Sequence, residues 1–273
     1  MRTTHIISII IIPFMFFTSC DLLNKETGLT SAEIVEGLKT ALNVGTDSSS
    51  TKLSKVNGYF KDQAIKILLP PEAQVILDNK NNQYFQQLGI TAKIDAQLEK
   101  VIESINRSAE EAAKESAPIF KKAITNLTIT DGLSILNGKN PSTTKATSVN
   151  EFDSLAATNY LKTQTFTDLS TVFSTPMNKS LDKDLGLGFS TNQAWTTLSS
   201  LYNNGVDLYN GANILGLYSN LNKVNSVDLG TYCTNKALDG LFLKVGLEEK
   251  KIRKNPYDWA IDIIRKVFGS VSK

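Results

Sequence analysis

Histidine is almost absent from this sequence: the 273 residues contain one, His5. His5 directly precedes the apolar run Ile6–Phe17, and removal of that run as a leader would leave no histidine at all. Without an imidazole, neither a Ser-His-Asp nor a Cys-His nucleophile can be assembled. Zinc and iron sites that depend on histidine ligands are excluded as well, so we expect neither a metal site nor a cofactor.

Cysteine is also scarce, with two copies, Cys20 and Cys233. If Cys20 carries a lipid, Cys233 is the one thiol left, and an exported domain with one thiol has no internal disulfide. Cys233 lies four residues after Leu229 and four before Ala237, a helical spacing that predicts a small core residue rather than a nucleophile. The apolar core must therefore stabilise the domain, and a mature chain of about 250 residues is long enough for that.

An excess of charge of either sign is missing too. The sequence holds 29 Lys and Arg against 27 Asp and Glu, which gives a net charge of +2. Binding to nucleic acid requires a concentrated basic face, and strong attraction to a membrane surface requires a similar excess. The near balance of charge argues against both, and we expect no nucleic acid as a partner.

The apolar run at the N-terminus is too short to cross a bilayer, which takes roughly 20 apolar residues. One positive charge precedes the run Ile6–Phe17, and two small residues, Thr18 and Ser19, separate it from Cys20. This order is typical of a secretory signal peptide. A signal that ends in two small residues and a cysteine resembles the bacterial lipobox, although phenylalanine stands three positions before the cysteine, where leucine is usual.

The lipobox resemblance implies that residues 1–19 are a lipoprotein signal peptide and that Cys20 is acylated. The competing interpretation is an ordinary secretory signal with an incidental cysteine. Because two or three acyl chains hold a protein firmly to a membrane, we expect export and anchoring, with the domain in the periplasm or on the cell surface. Residues 20–29 would then form a short polar tether with an r.m.s. reach of about 18 Å. Whether the anchor lies in the inner or the outer membrane stays open.

Helical periodicity dominates the rest of the chain. Three capping-box patterns occur, at Thr30 with Glu33, at Ser148 with Glu151 and at Ser190 with Gln193. Apolar residues recur at three- and four-residue spacing, and no long alternating segment occurs. The sequence therefore predicts an all-α fold, a multi-helix bundle of amphipathic helices joined by short loops, with residues 30–273 as a single all-helical domain.

Several segments carry narrower predictions. Residues 64–72 read as an extended connector that leads into one helix ending at Gly89, and a strong amphipathic helix begins at Ile90. Residues 203–226 are rich in Asn and Gly and poor in charge, so they form either an ordered binding loop or an insertion. A long helix is predicted from Asp228 to about residue 253.

The stretch "TNKALDGLFLKVGLEEKKIRKNP", residues 234–256, is the densest motif. It resembles the C-terminal signature of domain-of-unknown-function family 4197, an uncharacterised family of exported bacterial proteins. "LTSAEIVEGLKTALNVG", "LPPE", "IFKKAITNLTITDGLSILNG" and "FSTPMNKSLDK" match further blocks of that family in the same order. The resemblance covers most of residues 29–268 and departs at 203–226, which looks longer than usual. It implies an all-helical envelope protein and no assigned activity.

Glu248 and Glu249 in this motif are the candidate catalytic residues. On a helix they flank one apolar face, where a carboxylate costs free energy unless it is paired or protonated. In a catalytic role, either one would be a general acid with a raised pKa, suited to glycoside cleavage. In a structural role, Glu249 would pair with Arg253, and Glu248 with Lys251 or with Arg107 of another helix.

Four further residues of the motif are candidates for ligand or partner binding: Asp239, Lys250, Lys251 and Arg253. The basic run 250–254 either binds an anion such as a lipid head group or is a solvated helix end whose charge complements the helix dipole. Asp239 either caps a helix or binds a ligand. Leu243 and Leu247 point away from the main apolar face, so either further helices cover them or they line a groove for a partner.

Three functions are compatible with these features. The first is a lipid-anchored envelope protein that acts as a non-enzymatic binding or interaction module for an envelope protein or an apolar ligand. The second is a histidine-free, carboxylate-dependent hydrolase of envelope glycans, which rests on Glu248 and Glu249 alone. The third is a structural spacer. The anchor, the helical pattern and the lack of catalytic residue types favour the first.

Overall fold

A computed structural model of the chain describes residues 27–139 and 152–271, and every regular element in these ranges is a helix. The proposed signal peptide and Cys20 lie outside the described residues. The all-α bundle predicted from the sequence is confirmed. The helices are α1 (Ser31–Leu53), α2 (Gln74–Asn79), α3 (Gln83–Gln87), α4 (Ile90–Ala112), α5 (Ser116–Asn126), α6 (Gly132–Leu136), α7 (Ala156–Leu181), α8 (Thr191–Ala212), α9 (Leu229–Lys254) and α10 (Asp262–Gly269).

Four helices enclose the main part of the core. α1 packs against α5 and α9, and α7 packs against the same two helices, so the order around the bundle is α1, α5, α7, α9. α10 closes on α1, where a Cβ atom at Gly37 would lie 2.6 Å from the side chain of Val267. Only glycine permits this approach. Because the order around the bundle is α1, α5, α7, α9, the edge between α1 and α9 lies opposite the edge between α5 and α7.

α4 extends the bundle beyond these four helices. A single 3-10 turn, Ala113–Glu115, joins α4 to α5, and α7 and α8 both pack along α4. Phe85 of α3 and Tyr202 of α8 meet edge to face, with ring centroids 6.0 Å apart. The buried apolar side chains of the described residues form one continuous cluster, which agrees with a single core.

Two of the three predicted capping boxes are formed, and the third, at Ser148 and Glu151, lies outside the described residues. The hydroxyl group of Thr30 accepts a hydrogen bond from the backbone N–H of Glu33 at 3.2 Å, and the Glu33 carboxylate accepts one from the N–H of Thr30 at 2.9 Å. Ser190 and Gln193 form the same reciprocal pair at the start of α8. These bonds satisfy amides that the first turn of a helix leaves without partners, which is why the local sequence predicted both helix starts.

The capping box of α1 predicts how the thermal stability of the fold changes at acidic pH. The hydrogen bond from Lys266, and then those from Thr30, lower the pKa of Glu33 from 4.5 to about 2. A carboxylate with a lowered folded-state pKa stabilises the fold above its unfolded-state pKa, and this contribution is lost as the pH falls through the folded-state pKa. We expect Glu33→Gln to lower the thermal midpoint at neutral pH and to flatten its decline between pH 4.5 and about 2.

Thermal melts followed by circular dichroism across that pH range check this expectation. The matched control is Glu36→Gln, which changes an exposed carboxylate one turn further along α1. A Glu33→Gln profile that coincides with the parent profile at every pH would contradict the assignment.

Two local predictions about helices differ from the structure. The single helix expected up to Gly89 is interrupted, and α2 and α3 replace it because the Asn82 side chain accepts a hydrogen bond from the N–H of Tyr84 at 2.9 Å and starts a new helix. In the segment 203–226, α8 continues to Ala212, so nearly half of it is regular helix, which excludes a loop over the whole segment and leaves the alternative of an insertion as a prediction. The long helix predicted from Asp228 is confirmed as α9, with Asp228 as its N-cap.

Candidate functional site

Glu249 is sealed inside the bundle. It is 1% exposed, and its carboxylate pairs with Arg253 at 2.7 Å, as the structural interpretation predicted. The same carboxylate accepts hydrogen bonds from the backbone N–H groups of Ala157 at 3.0 Å and Thr158 at 2.8 Å, and from the Thr158 hydroxyl at 2.6 Å. Glu249 thus caps the start of α7, where unpaired amides and the helix dipole favour a negative charge.

Arg253, the partner of Glu249 in this buried ion pair, binds the end of a second helix. Its guanidinium donates hydrogen bonds to the carbonyl oxygens of Leu136 at 2.7 Å and Ile135 at 2.9 Å, at the end of α6. The rings of Phe152 and Phe268 lie 5.7 and 5.3 Å from its guanidinium carbon. The Glu249–Arg253 pair therefore fastens the end of α6 to the start of α7. We assign both residues a structural role, since neither side chain is open to a substrate.

Glu248, in contrast, reaches a pocket that opens to solvent. Its Oε1 accepts hydrogen bonds from Lys52 of α1 at 2.7 Å and from Lys251 at 2.9 Å. Burial raises the pKa of Glu248, but the hydrogen bonds from the two lysines outweigh burial and hold the pKa below its ordinary value. A general acid at neutral pH requires the opposite shift. The raised pKa expected of a catalytic glutamate is therefore wrong for Glu248.

Arg107 does not take part in this arrangement, although it was named beside Lys251 as an alternative partner of Glu248. It is largely buried and pairs with Glu110 at 2.8 Å and Glu103 at 3.0 Å. Glu110 also accepts hydrogen bonds from the consecutive N–H groups of Tyr59 and Phe60, both at 3.1 Å. Glu110 and Arg107 thus repeat the arrangement of Glu249 and Arg253: a buried carboxylate that binds two backbone amides and an arginine of its own helix.

The pocket beside Glu248, called here the lysine pocket, lies between α1 and α9 and has a volume of about 490 Å³. Its charged lining consists of five lysines and two carboxylates: Lys52, Lys244, Lys250, Lys251, Lys254, Asp62 and Glu248. Asp62 pairs with Lys244, and Glu248 pairs with Lys52 and Lys251. The half-exposed Leu247 lines the same pocket, so it borders a cavity and is not covered by further helices.

Asp239 lies apart from the lysine pocket. It forms an exposed ion pair with Lys162 of α7 at 2.7 Å and borders a pocket of about 480 Å³ between α9 and residues 64–69. Leu243 lines that pocket as well. Gly240 lets the preceding segment approach α9 closely, since a Cβ atom there would lie 2.9 Å from the ring of Tyr59 and 3.2 Å from the Cβ atom of Ile65. The structure therefore brings Lys250 and Lys251 together but separates Asp239 from them.

An apolar groove that the sequence analysis missed runs between α5 and α7. It has a volume of about 600 Å³, within the roughly 300–1,000 Å³ of ordinary ligand sites. Its apolar lining is Pro118, Ile119, Ala123, Leu127, Leu169 and Val172, and its charged lining is Lys122 and Asp168. Val172 is 54% exposed, a large fraction for valine on a helix of the core bundle. Residues of α5 and α7 look like ordinary core positions in sequence, so no signal marked the groove.

Other classes of site are not found in the described residues. Residues 27–139 and 152–271 contain no group of three His, Cys, Asp or Glu side chains placed to hold a metal ion. Cys233 is fully buried, and burial raises the pKa of its thiol to about 12, which confirms the predicted core residue. Within the same part of the chain, no helix combines the length and the apolar character needed to cross a membrane.

These features define an all-helical bundle with a buried structural ion pair, a lysine pocket and an apolar groove. The chain belongs to the family described as Protein of unknown function (DUF4197), whose model matches residues 28–269. The family resemblance read from the sequence motifs is thereby confirmed. The description of the family names no activity. Comparisons with curated proteins and with solved structures find no match.

Proposed function

We propose that this protein is a lipid-anchored, non-enzymatic binding module of the bacterial envelope, and that its apolar groove holds an elongated apolar ligand. The observation that carries the proposal is the groove itself, an open cavity of about 600 Å³ with mostly apolar walls. Ligand sites are typically concave and apolar with a few polar groups that orient the ligand. Lys122 and Asp168 provide such groups.

The membrane anchor in this proposal rests on the sequence. Cleavage after residue 19 and acylation of Cys20 would leave the tether 20–29, which joins the bundle at the buried side chain of Leu29. Because a tether of ten residues reaches about 18 Å, it would hold the bundle beside the membrane. Apolar molecules concentrate there, so an anchored module would meet its ligand where the ligand is most abundant.

The groove favours an apolar molecule because its exposed lining gains from burial. Val172 lies half in solvent, Pro118 is exposed, and the partly buried Ile119 lies along the same cavity. Removing apolar surface from water yields about 25 cal/mol per Å². Lys122 and Asp168 form no ion pair with any described residue, so either one is available to a polar group at one end of the ligand. A molecule with an apolar body and a polar end fits both features.

The alternative functions have less support. A glycan hydrolase requires one carboxylic acid that is accessible and retains its proton. Glu249 is buried and therefore inaccessible, and Glu248 accepts hydrogen bonds from two lysines that favour its ionised form. A spacer needs a stable bundle but no open apolar groove. We therefore assign a structural role to Glu248 and Glu249 and ligand binding to the groove.

A charge placed in the groove is expected to abolish ligand binding. In Val172→Glu the probe 11-(dansylamino)undecanoic acid, whose fluorescence rises in apolar surroundings, should bind at least about tenfold more weakly, because an unpaired carboxylate in an apolar site is costly. The matched control is Val56→Glu, which changes another exposed valine (74% exposed) outside the groove.

The control variant should bind the probe as the parent does. Absence of saturable binding to the parent, or equal binding to the Val172→Glu variant, would contradict the proposal. Since Val172 is exposed, loss of the fold does not account for an effect, and circular dichroism of both variants verifies this.

A further inference from the structure

A hydroxyl group beside the lysine pocket is buried without a partner. Ser49 of α1 lines the pocket and is 1% exposed, and its Oγ forms no hydrogen bond with any residue that the structure describes. Leaving a buried donor unpaired is destabilising, and nearly all such groups in folded proteins are satisfied. Four other buried polar atoms of the described residues also lack a partner, but Ser49 is the one of these five residues that lines this pocket. A group bound in the pocket that reaches the Ser49 hydroxyl would accept its hydrogen.

Glu248 brings two ammonium groups together beside this hydroxyl. Lys52 of α1 and Lys251 of α9 both donate to the same oxygen, Oε1, at 2.7 and 2.9 Å. Both lysine side chains remain more than half exposed, so their remaining donors face the solvent side of the pocket. The buried carboxylate holds them in fixed positions, which reduces the entropy that flexible lysines would lose on binding a ligand.

The charge balance of the pocket is positive. Five lysines face two carboxylates, and the ion pairs leave Lys250 and Lys254 without an ionic partner among the described residues. The C-terminal ends of α1 and α9 each contribute roughly half a negative charge, which opposes an anion. The excess of three positive charges is larger than this effect. Since the whole chain carries only +2, the pocket concentrates positive charge locally.

We propose that the lysine pocket binds a phosphate group, with the Ser49 hydroxyl as a donor on its floor and the ammonium groups of Lys52 and Lys251 at its sides. Lys250 and Lys254 stand at the rim. A phosphate offers several strong acceptor oxygens, which suits donors that converge from two helices. The volume of about 490 Å³ exceeds that of one phosphate, so the group would belong to a larger molecule, a phospholipid head group or a soluble phosphate ester.

This site is independent of the proposed groove. The lysine pocket lies on the α1–α9 edge and the groove on the opposite α5–α7 edge, and they share no lining residue. Failure of the groove variant and failure of the pocket variants are therefore separate results.

Lysine acetylation measured by mass spectrometry tests the site residue by residue. The full chain with Cys20→Ser, in neutral-detergent micelles, is treated with an N-hydroxysuccinimide ester of acetate. Inorganic phosphate is compared with sodium chloride of the same ionic strength, and micelles with added phosphatidic acid are compared with micelles with phosphatidylcholine. We expect acetylation of Lys52 and Lys251 to slow about tenfold when the phosphate ligand is about ten times its dissociation constant. Lys93 and Lys179, exposed on α4 and α7, serve as internal references and should react unchanged.

The two ligand arms identify the source of the phosphate. Protection by both inorganic phosphate and phosphatidic acid supports recognition of the phosphate group itself, and protection by phosphatidic acid alone supports a lipid head group. Equal slowing of all lysines, including the references, or no protection in either arm, would overturn the proposal.

Two variants distinguish specific binding in the lysine pocket from a nonspecific attraction of anions to positive charge. Ser49→Ala should weaken the protection of Lys52 and Lys251 about tenfold, because a hydrogen bond to a charged group is lost, whereas Ser174→Ala on α7 should not. Lys250→Gln/Lys254→Gln should also weaken it, and the matched pair Lys93→Gln/Lys179→Gln should not. If Ser49 has only a packing role, Ser49→Ala leaves protection intact, and the assignment is overturned.

Discussion

Glu249→Ala is expected to lower the free energy of unfolding by about 3–5 kcal/mol, because it leaves Arg253 buried with an uncompensated charge. The change also removes the acceptor of the Ala157 and Thr158 amides, so α7 loses its cap. Arg253 would keep its hydrogen bonds to the carbonyl oxygens at the end of α6, but two neutral carbonyl groups cannot balance a full positive charge. The effect combines an orphaned cation with orphaned amides, so it should exceed that of other single carboxylate substitutions.

Urea unfolding followed by circular dichroism measures this change. The matched control is Glu99→Ala, which removes an exposed glutamate of α4 and should stay within about 0.5 kcal/mol of the parent. The double variant Glu249→Leu/Arg253→Met should lose less than the two single variants together, because it removes both charges. A loss below about 1 kcal/mol for Glu249→Ala, the size of a surface ion pair, would contradict the assigned role.

Glu110→Ala is expected to have the next largest effect, a loss of about 2–4 kcal/mol. The substitution leaves the amides of Tyr59 and Phe60 without their acceptor, at the point where the chain leaves α1. Arg107 would retain Glu103, which is partly exposed, so its charge is left less isolated than that of Arg253. The loss should therefore be smaller than for Glu249→Ala.

The readout that is specific to this role is hydrogen exchange of individual backbone amides. Glu110→Ala should speed exchange at Tyr59 and Phe60 more than at amides in the middle of α9, because the contact is local. Glu103→Ala, which removes the other carboxylate on Arg107, should cost no more than about 1 kcal/mol and leave those two amides protected. Unchanged exchange at Tyr59 and Phe60 in the Glu110→Ala variant would show that the carboxylate does not hold this segment.

The helix starts and the long helices were predictable because their causes are local. The capping boxes at Thr30 and Ser190 depend on residues three positions apart, and α4 and α9 show their apolar faces at regular spacing. The pair of Glu249 with Arg253 was predictable for the same reason, since the two are four residues apart. The break between α2 and α3 was missed because one asparagine cap outweighed a continuous apolar pattern.

The candidate sites could be predicted only in part, because their halves are distant in sequence. The motif at the C-terminus showed Glu248 and Lys251, but Lys52 lies 196 residues before Glu248 and gave no sign of joining them. Nothing in the local sequence marked Ser49, whereas in the fold its hydroxyl is buried beside the lysine pocket. The groove depends on the spacing between α5 and α7, a property of packing that neither helix encodes alone.

Native mass spectrometry of the full chain, expressed in bacteria and extracted from their membranes in mild detergent, examines the lipid anchor and the bound ligand together. We expect a protein that begins at Cys20, carries the added mass of acyl chains, and retains an apolar molecule that is lost in the Val172→Glu variant. A protein that keeps its first nineteen residues, has a free thiol at Cys20 and holds no bound molecule would contradict this expectation.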